Sequence, residues 1–328
     1  MKLKLARATG MKLKLASSVL AETFSKWNEH KAIRLGAALA YFGIFAIAPV
    51  LIIAIAIAGL VYGRAATEGN IVRSISGVVG SSTAQFTQEL VASVSHPGAG
   101  VIAVVVGVAG IVLGSAGFFF QLKDALNTVW EVAPKPGYRL VDMIRDNALS
   151  FAMVLGLGVL VLASLLLTAG VSAVGSFLGS AVPGGETIWQ LADFGLTFGL
   201  VTLLFACIFK ILPDVRIPWG DVWPGAILTA LLFTVAQVAL SLIIRLANPG
   251  LAFGAAGALV LILVWINLAS LILLFGAEFT RVYSRRFGSR AQPKPYAEGL
   301  TPEARAAQGM PAKEPTTTIA GDNTGGRA

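Results

Sequence analysis

Six stretches of roughly 20 or more predominantly apolar residues constrain this chain more than any other feature. Residues 35–63, 98–121, 147–185 and 222–244 contain no charged side chain, and residues 187–209 and 246–277 contain only Asp193. A helix rises about 1.5 Å per residue and the hydrocarbon core of a bilayer is about 30 Å thick, so each stretch is long enough to span as a helix. Only 13% of the residues are charged, against about 25% in soluble domains. The expected fold is therefore all-α and membrane-embedded: six transmembrane helices, with amphipathic interfacial helices between them. The first apolar stretch begins after more than thirty residues and five others follow it, so it reads as a retained span and not a cleaved signal peptide.

The formal charge is +8, which can mean nucleic-acid binding or membrane topology, and the positions of the basic residues decide between them. Placing the N-terminus in the cytoplasm puts 22 of the 25 Lys and Arg residues inside and leaves Arg64, Arg73 and Arg245 outside. Both termini are thus expected in the cytoplasm, and a nucleic-acid partner is not. Cys207 is the only cysteine, which excludes a disulfide framework and a cysteine metal cluster; it reads as a small side chain facing lipid or core.

Three regions follow. Residues 1–34 form a basic cytoplasmic or interfacial segment in which MKLKLA occurs at Met1 and again at Met11, so either methionine is a candidate start. Within it Leu20, Phe24 and Trp27 share one helical face, which suits a helix along the inner membrane surface. Residues 35–287 form the six-span domain. Between its first two spans, Ile71, Ile75, Val78, Val79, Phe86, Leu90 and Val94 recur at helical spacing and predict outer-surface helices. After the second, QLKDALNTVWEV predicts a second interfacial helix, with Leu122, Leu126, Val129 and Trp130 on one side and Lys123, Asp124, Asn127 and Glu131 toward the other, ended by Pro134 and Pro136-Gly137. Residues 288–328 carry no apolar periodicity and are expected to be a disordered cytoplasmic tail.

The polar residues inside the spans are few, and they define the candidate sites. Pro49 falls at the centre of the first span and frees the carbonyl of Phe45 from its usual partner, kinking the helix. Asn267 lies at the centre of the sixth span and Gln237 within about one turn of the centre of the fifth. Either these groups hold the bundle together through interhelical hydrogen bonds, worth about 0.6 kcal/mol each, or they line a midplane cavity of the kind broken helices make in transporters. Glu278 and Arg281 are expected at the inner headgroup level as a helix-end anchor or an ion-handling gate, with Asp193 and Arg245 as the other charges near the boundaries. Gly107, Gly110, Gly114 and Gly117 lie on one stripe of the second span and predict a helix-packing seam, within one chain or between two copies. Gly195 and Gly199 form a second small pair.

Four stretches carry a family resemblance: AALAYFGIFAIAPVLI, DALNTVWEV, FKILPDVRIPWGDVWPGAILTA and FGAAGALVLILVWINLASLILLFGAEF. In order and spacing, over residues 24–286, the chain resembles the YihY/virulence factor BrkB family of six-span bacterial inner-membrane proteins, some formerly named ribonuclease BN. It departs from the family pattern at Ala46, where a serine is usual, and at Phe253-Gly254, where Tyr-Gly is usual. The resemblance implies the bacterial inner membrane and an envelope role, linked in some relatives to virulence. Metal-dependent RNA hydrolysis needs clustered His and Asp ligands, whereas His30 and His96 are placed on opposite sides of the bilayer. No cofactor and no metal site are expected, nor an enzyme, since no paired carboxylates or Ser/His dyad appears. No ionisable side chain falls at the central depth of any span, which disfavours a proton-coupled carrier of a charged solute. The resulting expectation is a transporter- or exporter-like protein for a lipid or amphiphile; the alternative is a non-transporting scaffold. Expected partners are membrane lipids, with a second copy or other envelope proteins as further candidates.

Overall fold

The computed structural model describes residues 2–46, 101–137, 185–247 and 249–311. Helix α1 (Lys2–Glu29) is followed, across a turn at His30 and Lys31, by α2 (Ala32–Ala46). The remaining helices are α3 (Val101–Trp130), α4 (Gly185–Ile211), α5 (Trp219–Ala247), α6 (Pro249–Arg286) and a short α7 (Pro302–Ala307). Small strands punctuate their ends. β1 (Val132–Pro134) pairs antiparallel with β4 (Ala297–Gly299), and β2 (Val215–Arg216) with β3 (Gln292–Pro293).

Three described segments are long and apolar enough to cross a membrane: Phe194–Ile211, Trp219–Ile243 and Val260–Arg286. On α5, Ile227, Leu231, Val235, Val238 and Leu242 are all exposed. They recur at intervals of three and four residues, so one stripe of the helix presents branched aliphatics outward, a surface suited to hydrocarbon and not to water. Helix α6 is the organising element, packing on α1, α3, α4 and α5. Trp27 of α1 donates its indole N–H to the Leu271 carbonyl of α6 at 3.3 Å. Phe24, stacked on Trp27, and Leu20 remain exposed.

The crossing of α5 and α6 is unusually close because each helix offers a glycine where the other brings a threonine. A Cβ on Gly225 would lie 1.8 Å from Thr280 Oγ1, and one on Gly276 would lie 1.7 Å from Thr229 Oγ1. Each hydroxyl is turned back onto its own helix: Thr229 donates to the Gly225 carbonyl at 2.6 Å and Thr280 to the Gly276 carbonyl at 2.8 Å. No polar atom is left unpaired there, and the two backbones touch.

Two expectations are corrected by these elements. QLKDALNTVWEV is not a separate interfacial helix but the last part of α3, with Lys123, Asn127, Thr128 and Glu131 buried and Asp124 exposed; most of the polar side faces protein, with Tyr296 and Arg305 of the C-terminal segment packed against it. That segment is not a disordered tail from Gly288 onward. Its residues add β3 and β4 to β1 and β2 and end in α7, capped by the Thr301 hydroxyl accepting from the Ala304 amide. It lacks an apolar period because buried polar contacts and strand pairing hold it. Residues 312–328, Pro49, the outer segment 71–94 and His96 lie outside the described residues.

A buried ionic cluster as the candidate functional site

Two helices end in residues with left-handed backbone: Lys31 (φ 54°) after α1 and Glu131 (φ 53°) after α3. Glycine is the usual residue at such a cap, and a side chain there costs about 1–2 kcal/mol. At Glu131 the side chain has a clear use. Its Oε1 receives Arg281 of α6 at 2.7 Å and Arg305 of α7 at 2.8 Å, with His30 Nε2 at 3.4 Å. On the other face of the imidazole, His30 Nδ1 contacts Glu278 Oε1 of α6. Arg305 also reaches Glu29 at 2.8 Å, and Glu29 holds Lys26 at 2.6 Å. Thus one cluster joins the α1–α2 turn, the end of α3, the C-terminal part of α6 and α7.

His30, Glu278 and Arg281 are each 1% exposed or less. Charges this deep are tolerated only in hydrogen-bonded pairs, and removing one partner strands the other. Burial alone would depress the His30 imidazole, but hydrogen bonds to Glu131 and Glu278 outweigh it and hold its pKa above the ordinary histidine value. For Glu29 burial pushes the carboxyl up, yet the Lys26 hydrogen bond and charge, with Arg305, bring it below the usual carboxylate range.

Glu29, His30 and Glu131 bring ligand atoms within 4.8 Å of one another, the one metal-suited grouping among the described residues. The donor set argues against a cation. Lys26, Arg281 and Arg305 already occupy its carboxylates, and a divalent ion would have to displace them against like-charge repulsion.

A second polar node binds the C-terminal segment to the helices. Asp214, fully buried, accepts from Lys123 at 2.9 Å, from Asn127 Nδ2 at 2.9 Å and from the Tyr296 hydroxyl at 2.9 Å, while its own amide donates to Asn127 Oδ1. A third lies at Asp221, which accepts from Ser284 at 2.8 Å and from the Ser289 amide at 3.1 Å.

Two cavities lie along α3 and α6. One, about 280 Å³, is bounded by α2 to α6 and lined by Leu39, Phe118, Leu122, Phe205, Phe233 and Trp265 among others. The other, about 480 Å³, lies at the ionic cluster and is lined by Trp130, Glu131, Arg281, Arg285, Arg290 and Leu300 with neighbouring apolar residues. Trp130 follows Leu122 by eight positions on α3, and Arg281 follows Leu273 by eight on α6, so the two are offset by roughly 12 Å along both helices. Fully buried Leu126, Leu274 and Ala277 pack between those levels.

Of the residues expected to form sites, the structure joins only some. Glu278 and Arg281 are neighbours, but the expectation of an exposed headgroup-level pair is corrected: both are buried, because the α1–α2 turn, α3 and α7 close over the C-terminal part of α6. Asn267 is half-buried with its amide close to Gly36 of α2. Gln237 lies on the exposed face of α5 and Phe45 is 50% exposed, so neither lines the apolar cavity. Gly117 does meet another helix, since a Cβ there would lie 2.7 Å from the Phe42 ring. The surroundings of Gly107, Gly110 and Gly114, and the side chains of Asp193 and Arg245, fall outside the described residues. Gly195 and Gly199 face open space. Sequence reasoning missed His30, Glu131, Asp214 and Arg305; the signal available for two of them was their place inside DALNTVWEV and LPDVRIPW, short polar insertions in an apolar chain.

Comparison with known proteins adds an independent line. The family model described as "Virulence factor BrkB" matches residues 23–300. A UPF0761 membrane protein of Pseudomonas paraeruginosa is 26% identical over 81% of this chain and 63% of its own length. The UPF0761 membrane protein of Alcanivorax borkumensis is 29% identical over 54% of this chain and 40% of its own. A Bacillus subtilis protein named "Putative ribonuclease-like protein YfkH" is 20% identical over 82% of this chain and 96% of its own. The chain thus spans somewhat less than two thirds of the length of the Pseudomonas relative. No solved structure is significantly similar to it.

Proposed function

Because the chain belongs to the virulence factor BrkB family of membrane proteins, we propose that it handles a lipid or amphiphile in the envelope as a transporter- or exporter-like protein of the bacterial inner membrane. The reading includes six spans with both termini cytoplasmic, the arrangement that places 22 of 25 Lys and Arg residues inside. It is a non-enzymatic reading.

The observation that carries it is the pair of cavities on α3 and α6. An apolar chamber walled by aromatic and aliphatic side chains sits about 12 Å from an arginine-lined one, a spacing of greasy and charged surfaces that matches the two ends of an amphiphile. The packed layer of Leu126, Leu274 and Ala277 makes this the closed form, in which neither chamber opens into the other. Transport requires that α6 and α3 part at that layer, consistent with alternating access by movement of one group of helices against another.

Purified protein in liposomes containing labelled lipids tests the proposal. Lipid should move across or out of the bilayer without any partner, and Ala269→Phe, which fills the apolar chamber, should abolish movement while the folded yield stays unchanged. A protein that moves none of a broad lipid panel, or an unaffected Ala269→Phe, refutes it. The same packed layer favours a second reading, a non-transporting scaffold; an inert liposome preparation with stable co-purification of envelope proteins from cells would select it.

A further inference from the structure

Three arginines line the larger cavity, buried Arg281 and exposed Arg285 of α6 and exposed Arg290 of the segment after it. Glu131 is the acidic residue in its wall, and it is already engaged by Arg281 at 2.7 Å and Arg305 at 2.8 Å. Among the described residues neither Arg285 nor Arg290 forms an ion pair. Buried Arg281 also keeps its Nε without a hydrogen-bond partner. Two cations without a close ion-pair partner among the described residues and an unused buried N–H therefore border a cavity of about 480 Å³, within the size range of small-ligand sites.

Guanidinium is suited to such a place because its planar fork gives paired hydrogen bonds to carboxylate or phosphate oxygens. The wall carries three arginines against one glutamate, a balance that favours a dianion over a carboxylate, and Trp130 and Leu300 supply apolar wall beside it. We propose that the Arg281–Arg285–Arg290 chamber binds a phosphomonoester dianion, with the Arg285 and Arg290 side chains as its main ligands and Arg281 Nε as a third donor. As a lipid headgroup site this rests on the amphiphile reading above; as an anion site it does not. The C-terminal segment is part of the site, since Arg290, Pro293 and Leu300 all come from it.

The full-length chain in detergent is titrated separately with a short-chain phosphatidic acid, the matching phosphatidylcholine and inorganic phosphate, reading the shift in melting temperature. Arg285→Gln, Arg290→Gln and the double variant are compared with Lys14→Gln and Lys31→Gln, which remove the same charge elsewhere. Wild type should be stabilised by phosphatidic acid and not by phosphatidylcholine. Each arginine change should weaken binding by about tenfold or more, and the lysine changes should have little effect. Arginine-dependent binding of phosphatidic acid alone identifies a lipid headgroup, and equal binding of inorganic phosphate identifies a free anion; either upholds the dianion site. No binding of either probe, or binding unaltered in the double variant, overturns it. An arginine-dependent site in a protein that moves no lipid in liposomes would retain the site and dismiss transport.

Discussion

Replacing Gly276 with alanine should be among the most damaging single-methyl additions in this chain. The new Cβ would lie 1.7 Å from Thr229 Oγ1, 2.9 Å from Thr229 Cβ and 3.1 Å from the Phe209 ring. Real Cβ contacts do not fall under about 3.0 Å, so more than 1 Å must be found. Thr229 cannot simply turn away: its hydroxyl bonds the Gly225 carbonyl at 2.6 Å, and as a β-branched residue it would bring its methyl group into the vacated space. Forced separation of the helices costs about 1–3 kcal/mol, and a lost hydrogen bond adds about 0.5–1.5 kcal/mol. The sum is roughly 1.5–4.5 kcal/mol, large against the whole stability of a typical domain. Thermal unfolding of purified protein, followed by intrinsic tryptophan fluorescence, should show a clear drop for Gly276→Ala, and a partial recovery in Gly276→Ala with Thr229→Gly, which deletes the two nearest atoms. Gly199→Ala, where nothing lies within 4 Å, should be neutral or slightly stabilising. A Gly276→Ala protein as stable as Gly199→Ala, or no recovery in the double variant, would refute the reasoning.

Glu278→Leu leaves the buried His30 Nδ1 without its acceptor and should destabilise the protein by about 3–5 kcal/mol, measured by thermal unfolding; a change below about 1 kcal/mol would mean the cluster is not buried as a unit. His30 binds its proton more tightly when folded, because the hydrogen bonds it donates to Glu131 and Glu278 outweigh burial and the Arg281 charge. Its contribution is therefore complete below the ordinary value of 6.5 and declines as pH rises through the higher folded value. The melting temperature of wild type should fall over that interval and that of His30→Gln should fall less; parallel curves would assign the pH dependence elsewhere. Asp214→Ala removes the shared acceptor of Lys123, Asn127 and Tyr296, and should release the C-terminal segment, read as faster tryptic cleavage after Arg290; unchanged cleavage would show that strand pairing alone holds it.

The membrane class was legible because length and hydropathy suffice for it. A run such as 222–244 predicts a helix from its own residues, and α5 extends that run by only a few residues at each end. The seam was legible in kind but not in place. Gly117 does approach Phe42, yet the tightest crossing uses GAILT on α5 and GAEFT on α6, two copies of a Gly-Ala-x-x-Thr pattern that no periodicity rule ranks above the four-glycine stripe. Glu278 was visible as an oddity, and its depth was not. Hydropathy counts residues along one helix, so a carboxylate near the end of an apolar run reads as facing the headgroups.

What the sequence determined by itself was the membrane class, the helical state of long apolar runs such as 194–211, 222–244 and 260–277, and the family, since these depend on local composition and order. Tertiary structure alone decided that His30, Glu131, Glu278, Arg281 and Arg305 form one buried cluster. Those residues are separated by up to 275 positions, from His30 to Arg305. Only the approach of α1, α3, α6 and the C-terminal segment turns five ordinary surface-type side chains into a site, because the cost of burying each charge is offset by partners that no single stretch contains.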